Sequence, residues 1–238
     1  MFKFLKSLFK VDNKHTSDIP RVTINFEIGS CPSKLPKYIS ETDIIMGNFS
    51  EEEICAIETK EELEVSDYNM IGTGFYRHQN KPELGLKFFD KAIVKDPTYG
   101  SAYGNAISAS ILLNNSELIE SYYREGLANA VRDRDHIYYQ YGRWLVNNQE
   151  FMEAGEIAQK GLLDDKISGK LKDHPEYDCL FVLGTQSVIF AANQINQIFP
   201  SHQEAKDLIQ SAANFLNVGL QVYPDSTDLQ ELKKKYFE

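Results

Sequence analysis

Hydrophobic residues recur every three or four positions from about Val65 to the end of the chain, and polar residues fill the positions between them. This spacing is typical of amphipathic helices, which bury one face and leave the other in water. Prolines and polar turns interrupt the pattern repeatedly, so the helices are predicted to be consecutive and separated by short turns. The predicted fold class is therefore all-α.

The first 64 residues follow a different pattern and divide into three segments. Residues 1–11 predict a basic amphipathic helix, and residues 12–48 predict a linker. Within the linker, residues 21–28 alternate strictly between apolar and polar side chains, which is the pattern of a β-strand. A lone strand is not stable, so this extension is expected to form a hairpin or to pair with a second chain. Residues 49–64 predict an acidic helix.

Three predicted helix starts carry a capping box, in which Ser or Thr precedes Glu or Gln by three positions. The pairs are Ser50 with Glu53, Ser201 with Glu204, and Thr227 with Gln230. They predict that the acidic helix and the last two helices begin at these points.

The helical part of the chain is also self-similar. Ala92, Gly126 and Gly161 are small residues separated by 34 and 35 positions, and each stands late in a predicted helix. Small residues are needed where two helices cross closely, so their recurrence predicts a repeated helix pair. The predicted units are residues 66–99, 100–133, 135–165 and 175–224, followed by a capping helix at 226–237.

The repeat resembles the tetratricopeptide repeat family, whose unit of about 34 residues is a pair of antiparallel helices with small residues at the crossing. The resemblance covers residues 66–224, and Gly142 occupies the position of the family glycine in the third unit. It implies an α-solenoid of antiparallel helix pairs, with the first helix of every unit lining a concave surface. A protein or peptide partner on that surface is what the resemblance leads us to expect.

The repeat register assigns particular side chains to this surface. Two arginines in an otherwise acidic protein suit a carboxylate or an extended peptide backbone, and Tyr and Arg are enriched at binding hot spots. One branch of the family grips the C-terminal carboxylate of chaperones, but of the matching positions only Asn105 fits, so another protein segment is expected. The candidate partner-binding residues are Arg77, His78, Asn105, Ser108, His136, Tyr139, Gln140 and Arg143.

Charge and cysteine content narrow the class of partner and compartment. The formal net charge of the 238 residues is −10, whereas binding nucleic acid requires clustered Lys and Arg, so nucleic acid is not expected and a basic client is favoured. The three cysteines are far apart, which favours reduced thiols in the cytoplasm over a disulfide framework.

No arrangement of side chains along the chain indicates catalysis. The five histidines are scattered, with no HExxH pattern and no paired cysteines, so no enzyme activity, cofactor or metal is expected. Residues 133–136 combine two aspartates with a histidine, and we interpret them as a solvated turn between two units.

The opening helix leaves three interpretations open. Its lysines interrupt the apolar run that a secretion signal requires, and no run in the chain reaches the length of a membrane span. It could lie on a lipid surface, dock onto protein such as the groove or the acidic helix, or be a frayed terminus. The residues on its apolar face are Phe2, Phe4, Leu5, Leu8 and Phe9.

These observations predict a non-enzymatic repeat scaffold in the cytoplasm that acts as an adaptor, chaperone or inhibitor of a protein partner. One alternative is a peripheral membrane protein that is weakly tethered by residues 1–11. Another is an immunity-type inhibitor of a secreted toxin, or a secretion chaperone. The oligomeric state stays open.

Overall fold

The computed structural model of the protein describes residues 43, 47–59 and 62–238. The described residues form consecutive helices, which confirms the all-α prediction. The helix and strand predicted within residues 1–28 lie outside the described residues. The α-helices are α1 Glu51–Glu58, α2 Val65–Thr73, α3 Pro82–Lys95, α4 Gly100–Leu112, α5 Ser116–Asn129, α6 Arg134–Asn147, α7 Phe151–Leu163, α8 Asp178–Ile198, α9 Gln203–Val222 and α10 Thr227–Tyr236.

The helices pack in sequential antiparallel pairs, which is consistent with a helical repeat. The pairs are α2 with α3, α4 with α5, α6 with α7, and α8 with α9. The first helix of each pair also contacts the first helix of the next pair, and α10 packs on α8 and α9. Each pair therefore covers apolar surface of its neighbour.

The repeated small residues lie where these helices cross. Gly126 of α5 is buried, and a Cβ added there would lie 2.9 Å from Ile137 Cδ1 of α6 and 3.0 Å from Tyr103 of α4. Gly161 of α7 is enclosed in the same way, by the first helix of its own pair and by α8. The recurrence of small residues seen in the sequence thus corresponds to a recurring contact between three helices.

The turn inside each pair repeats as well. It contains one non-glycine residue in the left-handed conformation, which is Asn80, Asn114, Gln149 and Ser201 in the four pairs, with φ of 53°, 52°, 64° and 66°. The prediction that Ser201 caps α9 is therefore wrong, because Ser201 forms the turn and α9 follows His202 without a side-chain cap.

The other two capping predictions had different outcomes. The box at Ser50 is confirmed: the Ser50 N–H donates to Glu53 Oε2 at 2.7 Å, and the Glu53 N–H donates to Ser50 Oγ at 3.2 Å. The prediction for Thr227 is wrong by one position, because Ser226 Oγ accepts the hydrogen bond from the Leu229 N–H and Thr227 is already the first residue of α10.

Residues 51–59 and 62–64, which we call the acidic segment, form ion pairs with lysines of α3. Glu51 pairs with Lys87, Glu58 Oε1 lies 2.6 Å from Lys91 Nζ, and Glu62 pairs with Lys95. The same helix, α1, buries Ile54 and Ile57. The segment is therefore held on the first helix pair by an apolar contact and by a row of ion pairs.

The fourth pair has the longest helices, with 21 residues in α8 and 20 in α9. Thirteen residues of α8 are buried, mostly against α7 and α9. Of the helices in the described ranges, none is long and apolar enough to cross a bilayer.

Candidate functional site

The first helices of the first three pairs are α2, α4 and α6, and the π-helical turn Gly74–His78 follows α2. We call the surface that these elements form the first-helix face. These first helices lie side by side. All eight candidate partner-binding residues belong to them, but their exposure differs. Arg77 and His78 are exposed, Ser108, His136 and Arg143 are half-buried, and Asn105, Tyr139 and Gln140 are buried.

Three of the candidates form a chain of hydrogen bonds along α6. Arg143 Nη1 donates to Gln140 Oε1 at 3.2 Å, and Gln140 Nε2 lies 2.9 Å from His136 Nε2. Because a guanidinium can only donate, it fixes the amide with its oxygen toward Arg143 and its NH₂ group toward His136. His136 Nε2 must then accept, so the imidazole carries its proton on Nδ1 and is neutral.

The ring of His136 is seated on α4. A Cβ added at Gly104 would lie 2.5 Å from His136 Cδ2, so only glycine at this position leaves room for the ring. Burial lowers the pKa of His136 to about 3, and the positive charges of Arg77 and Arg143 lower it further in the same direction. Two arginines from different first helices thus act on one neutral imidazole.

Arg77 and Arg143 each lie over a tyrosine ring, as Arg132 does over Tyr99. The Arg77 guanidinium lies 5.4 Å from the ring centroid of Tyr76, and the Arg143 guanidinium lies 5.7 Å from the ring centroid of Tyr139. Among the described residues, no carboxylate lies within 4.0 Å of either arginine. Of the other described arginines, Arg132 and Arg134 are paired with aspartates, and Arg124 of α5 donates to the Glu120 carbonyl of its own helix.

The side chain of Tyr139 is only 1% exposed, and Arg143 lies over its ring. Tyr139 therefore supports Arg143 from the buried side. Gln140 is equally buried and orients His136 and Arg143. Both residues therefore organise the site rather than offer surface to a partner. The repeat register identifies the face on which a residue stands, but it does not give the depth of the residue below the surface.

Asn105 takes part in a second polar link between first helices. Its Nδ2 donates to Asn69 Oδ1 of α2 at 2.9 Å, and Asn69 Nδ2 donates to the Tyr99 hydroxyl at 3.5 Å. Ser108 Oγ donates to the carbonyl of Gly104 in its own helix. Sequence reasoning missed Asn69 and Gly104; the one available signal was that Asn69 and Asn105 stand nearly one repeat apart.

His78 is the last residue of the π-helical turn and lies close to Gly47, in the segment before α1. A Cβ added at Gly47 would lie 2.8 Å from His78 Cβ, and the neighbouring Gln79 donates from Nε2 to the carbonyls of Gly47 and Phe49. His78 therefore packs against residues 47–49 rather than joining the His136 cluster.

The start of α6 differs from the solvated turn expected there. Asp135 is 7% exposed, and burial raises the pKa of its carboxyl to about 7, with the charges of Asp133 and Glu176 adding to the effect. Burial also raises the pKa of the nearby Cys179 thiol. In the part of the chain that the structure describes, no group of three His, Cys, Asp or Glu side chains could hold a metal ion.

A shallow cavity of 390 Å³ lies between the start of α8 and the turn before α10. Asp178, Tyr223 and Ser226 are among its lining residues, and Ser226 Oγ donates to Asp178 Oδ2 at 2.7 Å. The Tyr223 hydroxyl donates to the Leu171 carbonyl. The hydrogen bond between Ser226 and Asp178 therefore ties the turn before α10 to the start of α8.

The apolar face of the opening helix lies outside the described residues, so Phe2, Phe4, Leu5, Leu8 and Phe9 stay predictions. The interpretation that this helix docks onto the acidic segment meets one obstacle, since three carboxylates of that segment already have lysine partners in α3.

Comparison with known proteins identifies no relative: the chain matches no family model and no curated protein.

Proposed function

We propose that the chain is a tetratricopeptide-like scaffold that binds a segment of another protein on its first-helix face, without catalysis. It would act as an adaptor, a chaperone or an inhibitor, which includes the immunity-type and secretion-chaperone roles. The observation that carries the proposal is the polar cluster of His136, Gln140 and Arg143 on α6, whose histidine ring is seated on Gly104 of α4.

Two features of the fold support this proposal. Sequential helix pairs with small residues at each crossing repeat the same three-helix contact, as expected of a solenoid with a continuous inner surface. The polar groups on that surface are oriented by buried partners, and such preorganisation lowers the entropic cost of binding.

The net charge of −10 bears on how a partner approaches. A strongly acidic protein attracts basic proteins at long range, and this attraction raises the rate of encounter more than it sets the final contacts. A partner with a positive net charge can therefore still place either a basic or an acidic segment on the first-helix face.

Site-specific photo-crosslinking in the native host tests the proposal. We place p-benzoylphenylalanine at Ser108, which is half-buried on the first-helix face, and at Arg124, which is exposed on α5. We expect one protein to be crosslinked at position 108 and not at position 124, because only the first position lies on the proposed surface.

Competition provides the control for specificity. An excess of unmodified protein is expected to abolish the adduct, and an excess of the Arg143→Glu protein is expected to leave it in place. Crosslinking at position 124 alone, or equal competition by both proteins, would contradict a binding surface on the first helices.

A further inference from the structure

We propose that the cavity between the start of α8 and the turn before α10 binds a lysine or arginine side chain of a protein segment. The cavity has a volume of 390 Å³, which lies within the range of about 300 to 1,000 Å³ that is usual for ligand pockets. It is separate from the first-helix face, which α2, α4 and α6 form. The inference therefore adds a second binding site and does not rest on the proposed function.

The first step of the argument is the charge of the lining. Asp178 and Asp225 contribute carboxylates, and no Lys or Arg is among the described residues that line the cavity. Val222 also lines it and is the last residue of α9. The carboxyl end of a helix carries a partial negative charge. A positively charged group is therefore favoured in the cavity over a neutral or a negative one.

Asp178 has a structural role that does not use its full capacity as an acceptor. It is the first residue of α8, where a carboxylate is favourable, and it accepts hydrogen bonds from the Ser226 hydroxyl at 2.7 Å and from the Cys179 N–H. An ionised carboxylate can accept about four hydrogen bonds. Burial raises the pKa of this carboxyl, and a cation beside it would lower that pKa. Asp178 can therefore hold its turn and bind a cation at the same time.

Asp225 has no structural role of this kind. It is exposed and lies in the turn between α9 and α10. In the part of the chain that the structure describes, neither Asp225 nor Asp178 forms an ion pair with Lys, Arg or His. Two carboxylates that line one cavity repel each other, and a cation bound between them would replace this repulsion with attraction.

The second step concerns the walls, which are apolar. Pro175, Pro224 and Val222 line the cavity beside the two carboxylates, and both prolines are exposed. Lysine and arginine carry their charge at the end of an apolar stem. The stem can therefore lie against the prolines while the charged end reaches the carboxylates, and the exposed prolines leave the cavity open to a side chain of another protein.

Small analogues of side chains test the chemistry on the full-length protein. The probes are N-acetyl-lysine methylamide, N-acetyl-arginine methylamide and the neutral N-acetyl-norleucine methylamide, which has an apolar stem of similar length. NMR titration measures binding through the ¹H–¹⁵N amide signals of the protein. We expect the two basic probes to shift the amides of residues 222–227 with a Kd on the order of 1 mM, and the neutral probe to bind at least about tenfold more weakly.

Matched variants locate the binding. Asp225→Asn is expected to weaken the lysine probe about threefold and Asp178→Asn about tenfold, because Asp225 is exposed and Asp178 is half-buried. Asparagine at position 178 keeps an oxygen for the Ser226 hydroxyl, so the turn before α10 stays attached. Asp207→Asn is the control, since it makes the same change in net charge near the start of α9, whereas the cavity lies at the end of that helix. It is expected to leave the Kd unchanged.

An ammonium group supplied by the protein itself provides a second test. Asp225→Lys places a positive charge in the lining of the cavity and is expected to weaken the lysine probe at least about tenfold, because the two cations repel each other. Asp207→Lys gives the protein the same net charge and is expected to weaken the probe by no more than about twofold, because salt screens distant charges.

Four results would overturn the inference. They are equal binding of the lysine and norleucine probes, equal weakening by substitutions at positions 207 and 225, probe-induced shifts that lie away from residues 222–227 and the start of α8, and tighter binding of n-butylamine than of the lysine probe. The last result would mean that the cavity takes a free amine and excludes a side chain that is carried by a peptide backbone.

Discussion

At the start of α6, the buried Asp135 and the half-buried His136 are neighbours that are both held in their uncharged forms. The pKa of Asp135 is raised to about 7 and that of His136 is lowered to about 3, in both cases chiefly because burial penalises the charged state. Near pH 6 both groups are therefore neutral. The two shifts have opposite consequences for stability as the pH changes.

The first prediction concerns Asp135→Asn. In the unfolded chain this carboxyl releases its proton near pH 4, whereas in the folded chain it holds the proton to about pH 7, so the stability that it contributes is lost as pH rises between these values. Asparagine cannot ionise and still offers an oxygen to the backbone N–H groups. We expect the variant to be more stable than the unmodified protein at pH 8, by up to about 4 kcal/mol, and not at pH 4.

Urea unfolding at pH 4, 6 and 8 measures this difference, and Asp165→Asn provides a control at an exposed carboxylate. The pH dependence from His136 has the opposite sign, because its pKa in the folded chain lies below the ordinary value of 6.5. The stability that the neutral imidazole contributes is therefore present above about pH 6.5 and is lost as the pH falls toward 3. A stability gain in Asp135→Asn that is the same at all three pH values would show that Asp135 is not buried as a neutral acid.

At the scale of helices, glycines at the crossings determine how closely the pairs can approach. Gly126 is enclosed by two helices, whereas a Cβ added at Gly155 would meet Val188 Cγ2 at 3.4 Å and Ser187 Cβ at 3.9 Å, which are ordinary contacts. We expect Gly126→Ala to destabilise the protein by about 1 to 3 kcal/mol through overpacking. Gly155→Ala is expected to be neutral or to stabilise it by up to about 1 kcal/mol, because alanine favours the helix.

Chemical denaturation of both variants measures the two effects under one set of conditions. The comparison is informative because the two substitutions are chemically identical and both lie inside a second helix. Equal effects at the two sites would mean that the close crossing at Gly126 places no steric limit on the repeat.

Sequence periodicity predicted the helices well because each one must bury an apolar stripe, and that requirement is local. It could not predict that Ser201 forms a left-handed turn, because capping residues and turn residues have the same composition. It also missed the π-helical turn at Gly74–His78, which contains Arg77. Distant partners, such as Asn69 for Asn105, depend on how whole repeats stack.

At the scale of the whole described domain, the two ends of the repeat are closed by different means. Before the first pair, the acidic segment is held by Ile54 and Ile57 together with glutamate–lysine pairs, most of them partly exposed and therefore weak individually. After the last pair, α10 buries Leu229 and Leu232 against α8 and α9. Both ends thus cover apolar surface that a neighbouring repeat covers elsewhere.

The last prediction follows from this arrangement. In a solenoid each repeat contacts only its neighbours, so a local loss of packing should loosen the nearest pair and leave distant pairs unchanged. Leu229 is fully buried, and a Cβ added at Gly219 would lie 3.0 Å from its Cδ1, so Leu229→Ala is expected to cost about 2 to 5 kcal/mol of local packing. Hydrogen exchange should therefore accelerate in α8, α9 and α10.

Amides of α2 and α3 should exchange at their original rates in the Leu229→Ala protein, because two helix pairs, α4 with α5 and α6 with α7, separate them from the altered contact. Leu163→Ala is the control, since that side chain is 73% exposed and its loss should change no region. Acceleration that is uniform from α2 to α10 would instead show that the helix pairs unfold as one cooperative unit. In that case binding on the first-helix face would stabilise the whole domain rather than only the repeats that contact the partner.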